Sequence, residues 1–246
     1  MKYNYQIIIE YDGTKFNGWQ YQKNGFSIQG EIEKVLKKIL KKKIRLIGSG
    51  RTDSGVHAIG QSANFLYDNL INERKFINSL NHFLNKKSIT IISIKRKSFN
   101  FHSRYDAKKR IYKYIIINRQ SYLALEKNRA WLVKQKLNVS LMKKAAKFLL
   151  GTNDFSAFRA SSCTAKSPIK TLEKSIVIKT GEKIIITFSS RSFLQQQVRS
   201  MVGCIKFIGE EKWKPNKLRD LLRLKRRSFC APPAPSCGLY LQKVIY

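Results

Sequence analysis

The chain has 246 residues, 43% of them hydrophobic and 11% aromatic, which excludes a disordered basic tail because this much apolar surface can form a core. It carries 49 lysines and arginines against 15 aspartates and glutamates, a net charge of +34. A surface this positive favours a polyanionic partner, and nucleic acid is the usual one. No apolar run reaches about 18 residues, so the sequence predicts no membrane span.

The first half of the chain predicts the element order β-α-β-β-α-β. Its helices carry apolar residues at helical spacing, and its strands are short, apolar and bounded by turn residues. The predicted strands are Tyr5–Glu10, Lys43–Ile47, Gly60–Tyr67 and Ser88–Ile94, and the predicted helices are Gln29–Leu40 and Glu73–Leu84.

The second half repeats this order with one extra helix. The predicted strands are Arg110–Ile117, Thr171–Lys179, Lys183–Ser189 and Gly238–Ile245, and the predicted helices are Val139–Leu150, Leu194–Ile208 and Lys217–Leu224. Such a pattern packs as helices on one face of an antiparallel sheet. The sequence therefore predicts an α+β fold of two RRM-like, or ferredoxin-like, domains, at residues 1–105 and 106–246.

The residue spacing supports neither a metal site nor a cofactor site. The four cysteines and three histidines are scattered and include no C-x-x-C pair, which argues against zinc and against a disulfide framework. The glycine-rich fingerprints of dinucleotide-binding and P-loop proteins are absent. Since the N-terminus also lacks the features of a signal peptide, we expect a cytoplasmic protein with reduced thiols, no metal and no cofactor.

Three segments concentrate polar residues that suit chemistry. The first is the loop Gly48–Ala58, G-S-G-R-T-D-S-G-V-H-A, which places Arg51 and Asp53 on one glycine-framed turn between two predicted strands. The loop is either a plain turn, in which Asp53 bonds to nearby backbone amides, or a site where the backbone approaches a ligand closely. An aspartate beside an arginine in so basic a protein favours the second interpretation.

The other two segments are the strand Arg110–Ile117 and the helix Leu194–Ile208. Alternation along the strand puts Tyr112 and Tyr114 on one face, which suits either the stacking of RNA bases or a half-buried core position. On the helix, Arg199 lies beside the buried stripe, where its charge needs an anionic partner unless the side chain reaches solvent.

Together these segments resemble the TruA family of tRNA pseudouridine synthases. Gly50–Ala58 reproduces that family's G-R-T-D-A-G-V-H-A signature, with Ser54 in place of the alanine. The family's R-x-Y-x-Y strand matches Arg110–Tyr114, and its F-L-x-x-x-V/I-R-x-x-V-G helix matches Phe193–Gly203. Further matches in the same order extend the resemblance from Tyr11 to the C-terminus.

The resemblance implies roles for five residues. Asp53 would be the catalytic residue, in a cleft between the two domains, and Arg199 the ion-pair partner that keeps it ionised. Tyr112 would stack on the target uracil, Arg51 would help to displace or replace the flipped nucleotide, and Leu239 would be a further substrate-binding residue. The family acts without a cofactor at tRNA positions 38, 39 and 40 in the anticodon stem-loop, typically as a homodimer with the tRNA across both subunits.

This chemistry suits a protein without metal or cofactor, because uridine and pseudouridine are isomers. The uridine leaves the base stack, its glycosidic bond breaks, and C5 of the uracil joins C1′ of the ribose. A carboxylate can act as a nucleophile at C1′ or C6, or as a base at C2′, and these routes stay open. An RNA-binding protein of two RRM-like domains, or a ribosomal or architectural protein, would explain the charge but not Asp53.

Overall fold

The last strand of the chain belongs with the N-terminal half of the fold. The computed structural model describes residues 2–23 and 25–246, and these form two units. The first unit runs to Lys108 and takes in Tyr240–Tyr246, and the second comprises Lys109–Leu239. The predicted boundary between residues 105 and 106 left the C-terminal strand in the second domain, whereas this strand pairs with a strand of the first unit.

The first unit has the predicted order β-α-β-β-α-β, followed by the strand from the end of the chain. Its elements are β1 (Tyr3–Tyr11), α1 (Ile28–Leu40), β2 (Ile47–Gly48), β3 (His57–Tyr67), α2 (Glu73–Leu84), β4 (Ile89–Lys97) and β10 (Leu239–Ile245). The strand order is β4-β1-β3-β10, with β2 paired to β3 beside this path. Strand β1 is antiparallel to β3 and β4, and β10 is parallel to β3, with Tyr240 opposite His57.

Both helices of the first unit begin at capping side chains. Ser27 Oγ accepts the Gly30 N–H, and Asn72 Oδ1 accepts the Lys75 N–H. These bonds satisfy first-turn amides that have no partner within the helix. Each helix then buries one apolar face, comprising Ile28, Ile32, Val35 and Leu36 in α1 and Phe76, Leu80 and Leu84 in α2.

The predicted strand Lys43–Ile47 is wrong, because only Ile47–Gly48 pairs, as β2. Side chains of α1 bind the main chain of Leu46 in place of a neighbouring strand. The Glu33 carboxylate accepts the Leu46 N–H at 2.9 Å, and the Gln29 side-chain amide donates to the Leu46 carbonyl at 3.1 Å. Since both main-chain polar groups are satisfied, this residue needs no partner in a sheet.

The second unit combines an antiparallel sheet with three helices. Its elements are β5 (Lys109–Asn118), β6 (Trp131–Val133), α3 (Val139–Lys147), β7 (Gly151–Asp154), β8 (Ile169–Thr180), β9 (Lys183–Ser190), α4 (Gln197–Gly209) and α5 (Lys217–Leu224). The strand order is β5-β9-β8-β7, and β6 pairs in parallel with β5. The predicted hairpin is confirmed as β8 and β9, with Gly181 at a φ of +57° in its turn.

Helix α4 begins three residues later than predicted. Gln196 has a φ of +60°, in the left-handed region, so a right-handed helix cannot pass through it. The Gln197 side chain accepts the Leu194 N–H at 2.8 Å, and the Gln197 N–H donates to the Leu194 carbonyl at 3.1 Å. This tight turn fixes the start of α4 two residues before Arg199.

The predicted α+β class is confirmed, although two strand pairings, β10 with β3 and β6 with β5, are parallel. Large, fully buried side chains form the core of each unit: Tyr5, Ile7, Ile9 and Phe65 in the first, and Tyr114, Phe155, Phe158 and Phe188 in the second. Among the described residues, no helix has both the length and the apolar character that a membrane span requires.

Candidate active site

The loop between β2 and β3 is fixed at its base. The Ser49 N–H donates to the Ser62 carbonyl at 2.8 Å. Gln61 is fully buried, and its side-chain amide binds two consecutive residues of the loop. Its oxygen accepts the Ser49 hydroxyl at 2.7 Å, and its nitrogen donates to the Gly50 carbonyl at 2.9 Å. The main chain that leads to Asp53 is therefore held on both its donor and its acceptor side.

An upstream segment runs along the loop and holds its far part. The Trp19 N–H donates to the Thr52 carbonyl at 3.1 Å, and the Gly55 N–H donates to the Phe16 carbonyl at 3.2 Å. Gly18 has a φ of +94°, and a Cβ there would lie 2.5 Å from the Thr52 carbonyl oxygen. This close approach therefore requires a glycine.

Asp53 closes the turn through its main chain. Its carbonyl accepts the Val56 N–H at 3.2 Å, and Gly55 has a φ of +75°. A main-chain hydrogen bond thus closes the turn, and the Asp53 residue is half-buried. Arg51 is exposed, and its Nε donates to the Gln20 side chain at 3.1 Å. The loop combines a rigid backbone with an acidic and a basic side chain two residues apart.

His57, the histidine of the loop motif, is a packing residue. Its Nδ1 accepts the Gly13 N–H at 3.1 Å, and its ring stacks on Tyr240 with 4.7 Å between the ring centroids. Only 2% of its surface is exposed. A Cβ on Gly13 would lie 2.0 Å from the Val56 carbonyl oxygen, so this contact also depends on glycine. Close packing under the loop thereby stabilises the position of Asp53.

The two tyrosines of β5 share one face, as the alternation predicts, but their surroundings differ. Tyr114 is completely buried, and its hydroxyl donates to the Pro235 carbonyl at 2.7 Å. Burial raises the pKa of the Tyr114 hydroxyl well above its ordinary value. Tyr112 is 8% exposed, and its ring meets the Phe193 ring edge to face at 5.2 Å. Both tyrosines are buried, but Tyr114 is fully enclosed, whereas a small part of the Tyr112 surface is exposed.

Arg199 lies in the first turn of α4, against the segment that precedes β10. Its Nε donates to the Ala234 carbonyl at 2.7 Å, and the Ala234 N–H donates to the Arg199 carbonyl at 2.9 Å. The segment lies directly on the helix, because a Cβ on Gly203 would be 2.1 Å from the Pro232 carbonyl oxygen. The guanidinium is thus half-buried and oriented by a main-chain acceptor.

The predicted site residues fall in both units. Arg51 and Asp53 lie together on the loop of the first unit, and Tyr112, Arg199 and Leu239 belong to the second. Leu239 is buried and begins β10.

Sequence reasoning gave no role to three residues that fix these positions. Gln61 binds the loop, Tyr11 lies 2.8 Å from the Thr52 hydroxyl, and Phe193 packs on Tyr112. The sequence did carry a signal for Gln61, because it is a polar residue within a strand whose other residues are mostly buried. Phe193 lies just before the predicted helix Leu194–Ile208, and in the structure it precedes α4 and packs against Tyr112 of β5.

Comparison with known proteins identifies the family. Residues 7–106 and 145–246 match the family model described as tRNA pseudouridine synthase. The chain is 56% identical over 246 residues to tRNA pseudouridine synthase A of Pelagibacter ubique, covering 99% of this chain and 100% of that protein. It is 46% identical to the protein of the same name from Rhodopseudomonas palustris, covering 98% of each. These matches confirm the predicted family and enzyme class, and the chain belongs to the tRNA pseudouridine synthase family.

Proposed function

We propose that this chain converts uridine to pseudouridine in the anticodon stem-loop of tRNA, at positions 38, 39 and 40. Membership of the tRNA pseudouridine synthase family supports the reaction and the RNA. The resemblance of the loop, strand and helix motifs to the TruA family supports the anticodon arm as the target. A net charge of +34 suits a large RNA, because phosphate contacts supply much of the affinity in such complexes.

The observation that carries this proposal is the rigid presentation of Asp53. Main-chain hydrogen bonds hold the loop on both sides and close its turn. In a basic protein that only bound RNA, an aspartate at this place would repel phosphates and gain nothing. As a nucleophile or base toward the ribose or uracil, however, a carboxylate benefits from a fixed backbone, since catalysis depends on accurate positioning.

We assign the remaining site residues by the same resemblance and by their surroundings. Tyr112 stacks on the target uracil, which agrees with the small exposed part of its surface and with its edge-to-face support from Phe193. Arg199 is the ion-pair partner of Asp53, a role that suits a guanidinium already oriented by a carbonyl. Arg51, which is exposed on the loop, helps to replace the flipped nucleotide, and Leu239 contributes an apolar contact to the substrate.

We further propose that the protein works as a homodimer in the cytoplasm. The resemblance to the TruA family supports the dimer. The four cysteines are free thiols, which is the state that a reducing compartment maintains. Light scattering of the purified protein at micromolar concentration tests the dimer, and a monomer mass with and without tRNA would contradict it.

Release of tritium from tRNA that carries 5-tritiated uridine tests the proposed reaction and its location. Joining C5 to C1′ expels the hydrogen on C5, so catalysis releases tritium and binding alone does not. Transcripts with cytidine at position 38, 39 or 40, singly and together, locate the target. We expect each single replacement to remove the release from that position and the triple replacement to abolish it. Undiminished release from the triple transcript would contradict the location, and no release from any tRNA would contradict the reaction.

A further inference from the structure

A groove in the second unit lies between the end of α3 and the start of α5. Its volume is about 460 Å³, within the range of pockets that hold small ligands. The lining residues come from two short stretches of chain and include none of the proposed active-site residues. They are Lys144, Lys147, Phe148, Lys214, Pro215 and Asn216.

Most of the accessible wall of the groove is apolar, but three lysines line it and the protein does not neutralise their charge. Three of its six lining residues are lysines and none is acidic, and all three lysines are exposed. Among the described residues, none of the three takes part in an ion pair, whereas Lys206 and Lys212 of the same unit both pair with Glu210. The charge of such a surface favours the binding of an anionic ligand.

The surroundings of the aromatic residue in the groove indicate which part of a nucleic acid would bind there, a base or a phosphate. Phe148 is half-buried, and the Arg219 guanidinium lies over its ring, 5.5 Å from the centroid. A ring face already covered by a cation is a poor platform for a nucleobase, but the arginine adds a fourth positive charge beside the groove. The charged side chains around the groove therefore suit phosphate oxygens better than this ring suits a base.

We propose that this groove binds the phosphate backbone of the tRNA, as a contact separate from the one that holds the target uridine. Lys144, Lys147 and Lys214 would each neutralise a phosphate, and the contact would carry no sequence preference because backbone contacts read no base. This inference rests on the proposed function only in taking tRNA as the bound RNA. It adds a binding surface that the catalytic assignment does not require.

The test compares two triple variants that lose equal charge. In the groove variant, Lys144, Lys147 and Lys214 become glutamine. In the control, Lys37, Lys41 and Lys43 become glutamine at the exposed end of α1, where these lysines also have no ion pair among the described residues. All six lysines are exposed, so both variants should fold with the melting temperature of the wild type. Binding of a full-length tRNA transcript is measured between about 50 and 200 mM salt.

For the groove variant we expect the slope of log affinity against log salt to fall by about 2 to 3, and the affinity at moderate salt to fall at least about tenfold. We expect a higher KM and an unchanged kcat, because saturating tRNA still presents the uridine. The control should change affinity less than about twofold. Equal effects of the two variants, or an unchanged slope in the groove variant, would overturn the proposal. These binding measurements do not depend on turnover. A failure of the proposed reaction would therefore be seen separately, as wild-type protein that binds tRNA but releases no tritium.

Discussion

The hydroxyl oxygens of Tyr11 and Thr52 lie 2.8 Å apart, and both residues are buried. Tyr11 ends β1, and Thr52 directly precedes Asp53, so this hydrogen bond joins the end of β1 to the loop that carries the proposed catalytic carboxylate. A displacement of about 1 Å at a reacting group costs up to about a hundredfold in rate. Removing this hydrogen bond therefore tests whether the rigidity of the loop contributes to catalysis.

We predict that Tyr11→Phe lowers kcat about tenfold and leaves the Kd for tRNA within about twofold. Removing one hydrogen bond should also lower the free energy of unfolding by about 1 kcal/mol. The matched control is Tyr5→Phe, which removes another buried hydroxyl from β1, one bonded to Asn69 and Ile71 away from the loop. The control should lose similar stability and keep its turnover rate. Equal kcat values for the two variants would contradict a positioning role.

Substitutions of the two tyrosines of β5 should have different effects, one on turnover and the other on stability. We predict that Tyr112→Leu lowers turnover about tenfold to a hundredfold with little loss of tRNA affinity, because stacking of one base is worth about 1–3 kcal/mol in a complex dominated by phosphates. Tyr114→Phe should keep turnover and lose about 1–3 kcal/mol of stability, since the fully buried tyrosine loses its hydroxyl and the Pro235 carbonyl loses its donor. Steady-state kinetics and chemical denaturation of both variants measure these effects. The opposite pattern would assign the stacking role to Tyr114.

Gly203 should be intolerant of any side chain. A Cβ at this position would lie 2.1 Å from the Pro232 carbonyl oxygen, so Gly203→Ala must displace the segment that holds the Arg199 guanidinium through Ala234. We predict a loss of about 1–3 kcal/mol in stability and a fall in kcat. The control is Gly181→Ala in the β8–β9 turn, where no heavy atom lies within 4 Å and only the positive φ of +57° is unfavourable. Equal kcat in the two variants would contradict the proposed positioning of Arg199.

Acid should destabilise the second unit through Glu210. Burial alone would raise the pKa of this carboxyl, but ion pairs with Lys206 at 2.5 Å and Lys212 at 3.1 Å outweigh burial and hold the pKa below its ordinary value of 4.5. A carboxyl with a lowered pKa in the folded state contributes stability that is complete above pH 4.5 and is lost as the pH falls through the folded value.

Denaturation measured from pH 7 to pH 3 tests this linkage. Glu210→Gln should be less stable than the wild type at pH 7, and its stability should fall less steeply below pH 4.5. Glu173→Gln is the control, because its ion pair with Lys109 is solvent-exposed and should contribute little. Parallel pH profiles for the wild type and Glu210→Gln would contradict the assigned role.

Local sequence patterns predicted the elements whose stability is local. Helices α2 and α5 have the predicted bounds, Glu73–Leu84 and Lys217–Leu224, because apolar spacing defines both of them. Long-range contacts decided the other cases. Leu46 bonds to side chains of α1, β10 pairs in parallel with β3, and β6 and β7 have three and four residues, too few for a periodic pattern.

The candidate site shows the same division. The glycine-framed loop and the shared face of Tyr112 and Tyr114 were predictable, since turn chemistry and strand alternation are local properties. The hydrogen bonds that hold the site residues in place were not predictable. Gln61 binds residues 11 and 12 positions away along the chain, and Arg199 donates to Ala234, 35 positions away. No spacing rule connects such partners.

The Asp53→Asn variant tests the central claim most directly, with Asp68→Asn, an exposed aspartate that pairs with Lys42, as its control. Release of tritium from 5-tritiated uridine in tRNA is measured for both purified proteins, after thermal unfolding has shown that they are folded. We predict no release above background for Asp53→Asn, with tRNA bound as tightly as by the wild type or more tightly, because a negative charge near phosphates has been removed. Asp68→Asn should release tritium at the wild-type rate. Folded Asp53→Asn protein that also releases tritium at the wild-type rate would contradict the catalytic role of Asp53.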